Sequence, residues 1–179
     1  GAQRFEKMVS GHYLGEILRR ALVSGLLRWS AATALATPVG LDSAHLSRMA
    51  ADGTAALDDV DALLRSLGVE STPAERRAVR ALGAAIARRA ARLVAAALLG
   101  TLRFLDARLD DRRTIAVDGS LWGGYPGFAG LVRATLAELV GPERAERVEI
   151  AFVKDSTSAG AAVIAAVAAA QRSEGCSSA

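Results

Sequence analysis

The feature that most limits what this chain can fold into is the segment that opens at Thr72-Pro73-Ala74-Glu75. It places a capping hydroxyl, a first-turn proline and a capping-box glutamate in the order that starts a helix. Nothing breaks the helix from there to about Leu105, and Val79, Leu82, Ile86, Leu93, Ala97 and Leu105 recur at near-helical spacing. One long helix therefore has to be accommodated, and the other elements must pack along it. Leu93 to Leu102 is apolar between Arg92 and Arg103, but it has about half of the ~20 residues needed to span a bilayer. It reads as a buried helix. Arg76, Arg80, Arg88, Arg89 and Arg92 stud the same helix. Such a row can bind phosphate or RNA, or can simply form a solvated face.

Downstream the period changes. Asp110 to Arg113 is a charged turn, and Thr114 to Val117 is short and β-prone. Val148 to Val153 alternates, with Val148, Ile150 and Phe152 on one side. Between them lies a helix from about Pro126 to Val140, with Phe128, Leu131, Val132, Leu136 and Leu139 as its stripe and Gly141-Pro142 as its stop. Strand, helix, strand predicts a parallel pair with a crossover, hence an α/β fold. The two strands are expected under the long helix.

Upstream, a first helix is expected from about Gly11 to Leu27, fading near Trp29, with Tyr13, Leu14, Ile17, Leu18 and Ala21 on its apolar side. Glu6 and Lys7 are expected just before it. A carboxylate there either accepts hydrogen bonds from a polyhydroxylated ligand or is a solvated acid at the positive helix end. Ser30 to Gly40 reads as a connection, with Thr37-Pro38 favouring extended backbone. A short hydroxyl-rich helix or turn, LDSAHLSRMAADG, then ends at Asp52-Gly53. In it Ser43 and Ser47 are four apart and share a face, and Ser43 is also a candidate helix cap. Thr54 is placed to cap a helix bearing Leu57, Val60, Leu63, Leu64 and Leu67, and Gly68 to end it. A strand entering Asp118-Gly119-Ser120 offers backbone N–H groups to an anion with no Cβ in the way.

Charge adds little. The net charge is +3, from 22 Lys+Arg against 19 Asp+Glu, so nucleic-acid binding is not indicated by charge. Aromatics are 4% of a chain that is 51% hydrophobic, so Ala, Leu and Val must build the core. The single cysteine, Cys176, excludes an internal disulfide and fits a reducing compartment. The length of 179 residues favours one domain, expected over 1–172, with a disordered polar tail over 173–179. From the start at Gly1, a fragment, a processed product or part of a longer chain is expected. There is no internal repeat, no nucleophile elbow and no Cys/His metal spacing.

QRFEKMVSGHYLGEILRR closely resembles the hexokinase signature around a sugar-binding glutamate, F/Y-E-K-M/I followed by Y-L/M-G-E. VDGSLWGGYPGF resembles the hexokinase run V-D-G-S-L-Y-K-x-H-P-x-F, and DSTSAGAA the closing D-G-S-G-x-G-A-A. Thr37-Pro38, Asp42-Ser43 and Ser47 follow the family's hydroxyl-bearing T-P stretch, and RAARL (Arg89 to Leu93) its R-x-A-x-L. The resemblance implies the C-terminal part of the large lobe of a hexokinase, in the actin-like ATPase and sugar-kinase (ribonuclease H-like) fold. It implies that Glu6 accepts hydrogen bonds from glucose hydroxyls. It places Gly11, His12, Ser43, Ser47, Gly119, Ser120, Leu121 and Gly160 beside ATP, which would carry Mg²⁺ held mainly by ATP and by residues outside this segment. His12 reads equally as an ordinary polar residue of a first helical turn. The resemblance also implies a cytoplasmic protein, with association at an organelle surface left open. Gly123 stands where the family has Lys, Tyr125 where it has His, and Ser156 and Ser158 where it has glycines. The D-L-G-G-T phosphate loop and the N-D-T base of the other lobe lie outside the segment. The alternative is a non-catalytic hexokinase-like subunit or sugar sensor.

Overall fold

The computed structural model describes residues 2–24, 35–36 and 40–176. The expectations for Leu27, Trp29, Thr37-Pro38 and the last three residues lie outside these. In chain order the elements are α1 (Arg4–Val9), α2 (Gly11–Val23), α3 (Ser43–Ala51), α4 (Asp58–Ser66), α5 (Pro73–Leu105), β1 (Arg113–Val117), α6 (Ser120–Gly124), α7 (Phe128–Val140), α8 (Pro142–Ala145), β2 (Val148–Phe152) and α9 (Ser156–Cys176).

The long helix starts as its sequence dictates. Thr72 Oγ1 accepts from Glu75 N at 3.3 Å, and Glu75 Oε2 accepts from Thr72 N at 2.7 Å. Its 33 residues bury Val79, Ile86, Ala87, Ala90, Ala91, Ala95, Leu99 and Leu102. Alanines dominate that seam, so neighbouring backbones can come close. α2 and α3 pack against the N-terminal half of α5, where Gly83 faces Leu18 and Met49, and α7 packs against α5 as well.

β1 and β2 form a parallel pair, Arg113 opposite Val148 and Val117 opposite Phe152. The pairing is the expected one, and α7 lies within the crossover. Arg133 of α7 donates to Ile150 O at 3.0 Å, so the crossover helix links the sheet to α5. A continuous core runs from Leu14, Leu18 and Leu22 through Met49, Val60 and Val79 to Phe128, Val132, Leu136 and Ile150.

Local starts and stops differ from the sequence expectation in instructive ways. Glu6 is not in a loop. Ser10, with extended backbone at ψ 135, separates two helices and accepts from His12 N at 3.3 Å, so residues before it wind their own short helix. Asp42, not Ser43, caps α3. Its Oδ1 accepts from Ala44 N at 2.9 Å and His45 N at 3.1 Å, and His45 Nδ1 reciprocates on Asp42 N at 3.3 Å. A carboxylate one residue earlier outcompetes the hydroxyl for the same N–H groups.

Thr54 Oγ1 accepts from Asp58 N at 2.8 Å, but the N-cap position of α4 is Leu57, at φ 56. Buried Asp52 holds this turn by accepting from Thr54 N, Thr54 Oγ1 and Val60 N. Burial opposes its ionisation, yet the bonds from Thr54 and Val60 prevail and keep the carboxyl below its ordinary value. Gly68, at φ 75, ends α4 as expected, with Val69 N donating to Leu64 O and Gly68 N to Arg65 O. The helix expected from about Pro126 to Val140 is α7, from Phe128 to Val140, and a short helix without a sequence signal, α6 over Ser120–Gly124, precedes it.

Candidate functional site

Four segments far apart in sequence meet at one end of the core, and glycines let them do so. In α2, a Cβ on Gly15 would lie 2.0 Å from Leu41 O and 2.4 Å from Asp42 N. No other residue type fits there without moving the backbone. This contact sets α3 against α2 and brings its first turn to Gly11. A Cβ on Gly11 would fall 2.9 Å from Ser43 Oγ and 3.8 Å from Leu121 Cβ. Gly11, Ser43 and Leu121 are thus assembled from α2, α3 and α6. Ser47 is half-buried one turn along α3 from Ser43. His12 is exposed beside this cluster in sequence, its ring edge-on to Tyr13 at 4.9 Å.

The turn after β1 supplies the other wall. Gly119 has φ 147 and ψ 142, a conformation that side-chain-bearing residues rarely adopt, and the space where a Cβ would stand is open. A cavity of about 370 Å³ opens there, with Gly119, Ser120, Gly123, Phe152 and Lys154 in its lining. Asp118, the residue before, turns to α9. Its Oδ2 accepts from Ser156 Oγ at 3.2 Å, Thr157 N at 3.3 Å and Thr157 Oγ1 at 3.4 Å. Those bonds, the Thr157 N–H first, hold the Asp118 carboxyl below its usual range.

Two departures from the family pattern acquire a structural setting. A Cβ on Gly123 would meet the Phe152 ring at 3.0 Å, so the aromatic ring occupies the space over that residue. Lys154, two residues past the end of β2, brings a cation to the same cavity, which sequence spacing from Gly123 does not suggest. Ser156, Thr157 and Ser158 form the first turn of α9 rather than a loop, and the positive φ there belongs to Asp155, at 58°. Gly160 sits within α9, exposed, with nothing near its missing Cβ.

Glu6 lies on α1, which buries no residue. Its side chain is exposed and has no hydrogen bond or ion pair among the described residues. α1 is tethered to the long helix by Arg89, which donates to Met8 O at 3.3 Å. The other glutamate of the N-terminal signature is committed. Glu16 bridges Arg19 and Arg20 at 2.7 Å each, and buried Arg19 also donates to Leu35 O and Ala36 O. The hydrogen bonds from Arg19, then Arg20, pull the Glu16 carboxyl down to about 2. Glu16 therefore positions the chain after α2, while Glu6 is left open to a ligand.

The sequence model of the hexokinase family matches residues 1–167. The chain belongs to the hexokinase family. Hexokinase-4, chloroplastic, of Oryza sativa is 38% identical over 178 residues, covering 93% of this chain and 35% of that protein. Glucokinase-1 of Saccharomyces cerevisiae is 38% identical, covering 94% and 37%. Among solved structures, the hexokinase of Schistosoma mansoni complexed with glucose aligns at a TM-score of 0.70 and 26% identity, over 83% of this chain and 34% of that one. The fold is that of the actin-like sugar kinases. The chain spans about a third of the length of these hexokinase relatives. Among the described residues no helix is long and apolar enough to cross a membrane.

Proposed function

We propose that this chain is the C-terminal portion of a hexokinase large lobe, over residues 1–172, and serves ATP-dependent phosphorylation of a hexose, most simply glucose at its 6-hydroxyl. The observation that carries the reading is the convergence of Gly11, Ser43 and Leu121 next to the open turn at Gly119, in a chain of this family.

In this reading Glu6 accepts hydrogen bonds from sugar hydroxyls. Ser43 and Ser47 present hydroxyls to the nucleotide, with Gly11 and His12 alongside. The Gly119–Leu121 turn brings backbone N–H groups close, because no Cβ intervenes at Gly119. Gly160, exposed within α9, is the remaining proposed contact with the nucleotide. ATP with Mg²⁺ supplies the transferable phosphoryl group and neutralises its charge. The close approach of Ser43 to Gly11 and the vacant space at Gly119 leave room for the nucleotide's phosphates at the turn. The base that takes the hydroxyl proton and the loop that holds the γ-phosphate belong to the lobe outside this segment, which is the partner this function requires. The compartment we propose is the cytoplasm, with association at an organelle surface supported by the likeness to the chloroplastic rice relative.

A second reading has its own support. The Phe152 ring fills the place where the family's Lys would rise from position 123, and serines replace two glycines at the start of α9. These features favour a binding or sensing subunit that has given up turnover. Joining the chain to a hexokinase segment carrying the D-L-G-G-T and N-D-T elements tests both. Glucose phosphorylation abolished by Glu6→Ala supports the enzyme. Glucose binding without turnover supports the sensor. Glucose affinity unchanged by Glu6→Gln refutes the role given to Glu6, because removing a charged acceptor should cost roughly 1.5–3 kcal/mol.

A further inference from the structure

The arginines of α5 do not form one uniform solvated face. Arg76 pairs with Asp61 at 2.8 Å and donates to Ser71 and Ala56 O. Arg89 holds Met8 O, and Arg92 pairs with Glu138 at 2.7 Å. Arg77, Arg80 and Arg88 have no ion pair or hydrogen bond among the described residues. At 3.6 residues per turn these three fall within roughly 80° of one another around the helix. Like charges aligned on one face repel, and here no carboxylate answers them.

That face looks into a cavity of about 750 Å³, walled opposite by the Tyr125–Gly127 turn and the first turns of α7. No acidic residue lines it. Much of the rest of its lining is carbon: Ala81, Ala84 and Ala134 are small enough to leave room, and Leu57 and Leu131 add apolar surface. Tyr125 reaches in from the turn. It is 6% exposed, and its hydroxyl has no hydrogen-bond partner among the described residues. Burial pushes this phenol up, with Arg80 pulling the other way, so the hydroxyl stays protonated and able to donate. The ring is buried while the hydroxyl is left free to donate to a ligand in the cavity. The volume is that of a small-molecule site, and guanidinium groups suit carboxylate and phosphate in two-point contacts. None of the residues assigned to sugar or nucleotide lines this cavity.

We propose that this cavity binds a small amphipathic organic anion, its apolar body against Leu57, Leu131 and the Tyr125 ring and its carboxylate or phosphate headgroup on Arg77, Arg80 and Arg88. The Tyr125 hydroxyl completes the headgroup's hydrogen bonds. The inference does not depend on turnover, or on Glu6 binding sugar.

Decanoate and decyl phosphate, each below its micelle concentration, are titrated calorimetrically into the 179-residue chain at low salt. Decyltrimethylammonium and inorganic phosphate are the controls. At least one of the two decyl anions binds with one-to-one stoichiometry, and whichever binds more tightly identifies the headgroup. Arg80→Gln/Arg88→Gln weakens it at least tenfold, and Ala134→Leu, which narrows the cavity without touching charge, weakens it similarly. Arg112→Gln, outside the cavity, changes nothing. Circular dichroism melts confirm that each variant is folded, and if the double variant is not, Arg88→Gln alone and Ala134→Leu decide. The proposal is overturned if neither decyl anion binds, if decyltrimethylammonium binds as well, if inorganic phosphate binds as tightly as decyl phosphate, or if the folded cavity variants bind undiminished.

Discussion

Gly15→Ala separates local propensity from tertiary fit, because the two demand opposite signs. In an open helix, Ala in place of Gly stabilises by up to about 1 kcal/mol. At Gly15, however, the added Cβ would sit 2.0 Å from Leu41 O and 2.2 Å from Leu41 C. Those are backbone atoms and cannot swing aside as a flexible side chain would. The Leu41–Asp42 backbone must retreat by more than an ångström to reach ordinary contact. Its retreat strips Asp42 of the 2.9 and 3.1 Å bonds that cap α3, a loss of about 1 kcal/mol. It also opens the seam in which Leu14, Leu18 and Leu46 are buried, and such overpacking costs about 1–3 kcal/mol. The net expectation is a destabilisation of about 1–3 kcal/mol, or a fall of roughly 2–12 °C in Tm for a chain of this size. Gly100→Ala is the internal control. It lies exposed in α5 with nothing within 4 Å of its missing Cβ, so it gains about 0.5–1 kcal/mol. Urea and thermal melts followed at 222 nm measure both. If Gly15→Ala is as stable as the parent, or more so, the close approach of α2 and α3 is wrong, and with it the placement of Ser43 against Gly11.

The remaining expectations follow from single interactions. Glu16 has its carboxyl held at about 2 against an ordinary 4.5, so its contribution is fully present above about pH 4.5 and fades as pH falls toward 2. With a third of its side chain in solvent, the shift is worth about 1–2 kcal/mol after screening. Glu16→Gln should therefore flatten the acid limb of a stability–pH profile, and an unchanged limb would refute the bridge. Asp118→Ala removes the three bonds at the start of α9. Hydrogen exchange over Thr157–Val167 should quicken markedly while protection in α5 stays as it was, and equal protection in both proteins would show α9 held by something else. Gly119→Val forces a branched residue into φ 147, so nucleotide affinity should fall well beyond any loss of sugar affinity. The isolated chain should show no glucose phosphorylation above background in a coupled assay, since positioning and charge stabilisation make up nearly all of this catalysis. Robust turnover abolished by Glu6→Ala would reveal a base within these residues.

Sequence pattern was informative where a local signal and its structural consequence coincide. The box at Thr72–Glu75, the stop at Gly68 and the paired strands around a crossover are of this kind, because a cap or an alternation acts within a few residues. It was less informative where two local signals compete for one role. Asp42 and Ser43 both suit a cap, and only the reach of each oxygen to the N–H groups of Ala44 and His45 decides. The helix α6 was hidden because Ser-Leu-Trp-Gly-Gly has weak propensity and is wound by its neighbours rather than by itself. At the candidate site, Gly11, Ser43 and Leu121 were legible through their motifs. The approach of Lys154 and Phe152 to Gly123 was not, since it depends on the register of β2 against β1. The division among the arginines of α5 was equally invisible, as it turns on which of them meets an acid from another element.

The two-strand parallel sheet has a consequence for how such a chain behaves on its own. Among the described residues β1 and β2 pair only with each other, so each turns an outer row of N–H and C=O groups to whatever comes next. Phe152, 46% exposed, and Val153, 42%, stand at one end of that border. An edge of this kind is a template that does not discriminate between its proper neighbour and a second molecule of the same sequence. Concentration then sets the fate of the free chain: dilute, it keeps its borders solvated, and crowded, it extends its sheet by the nearest strand available.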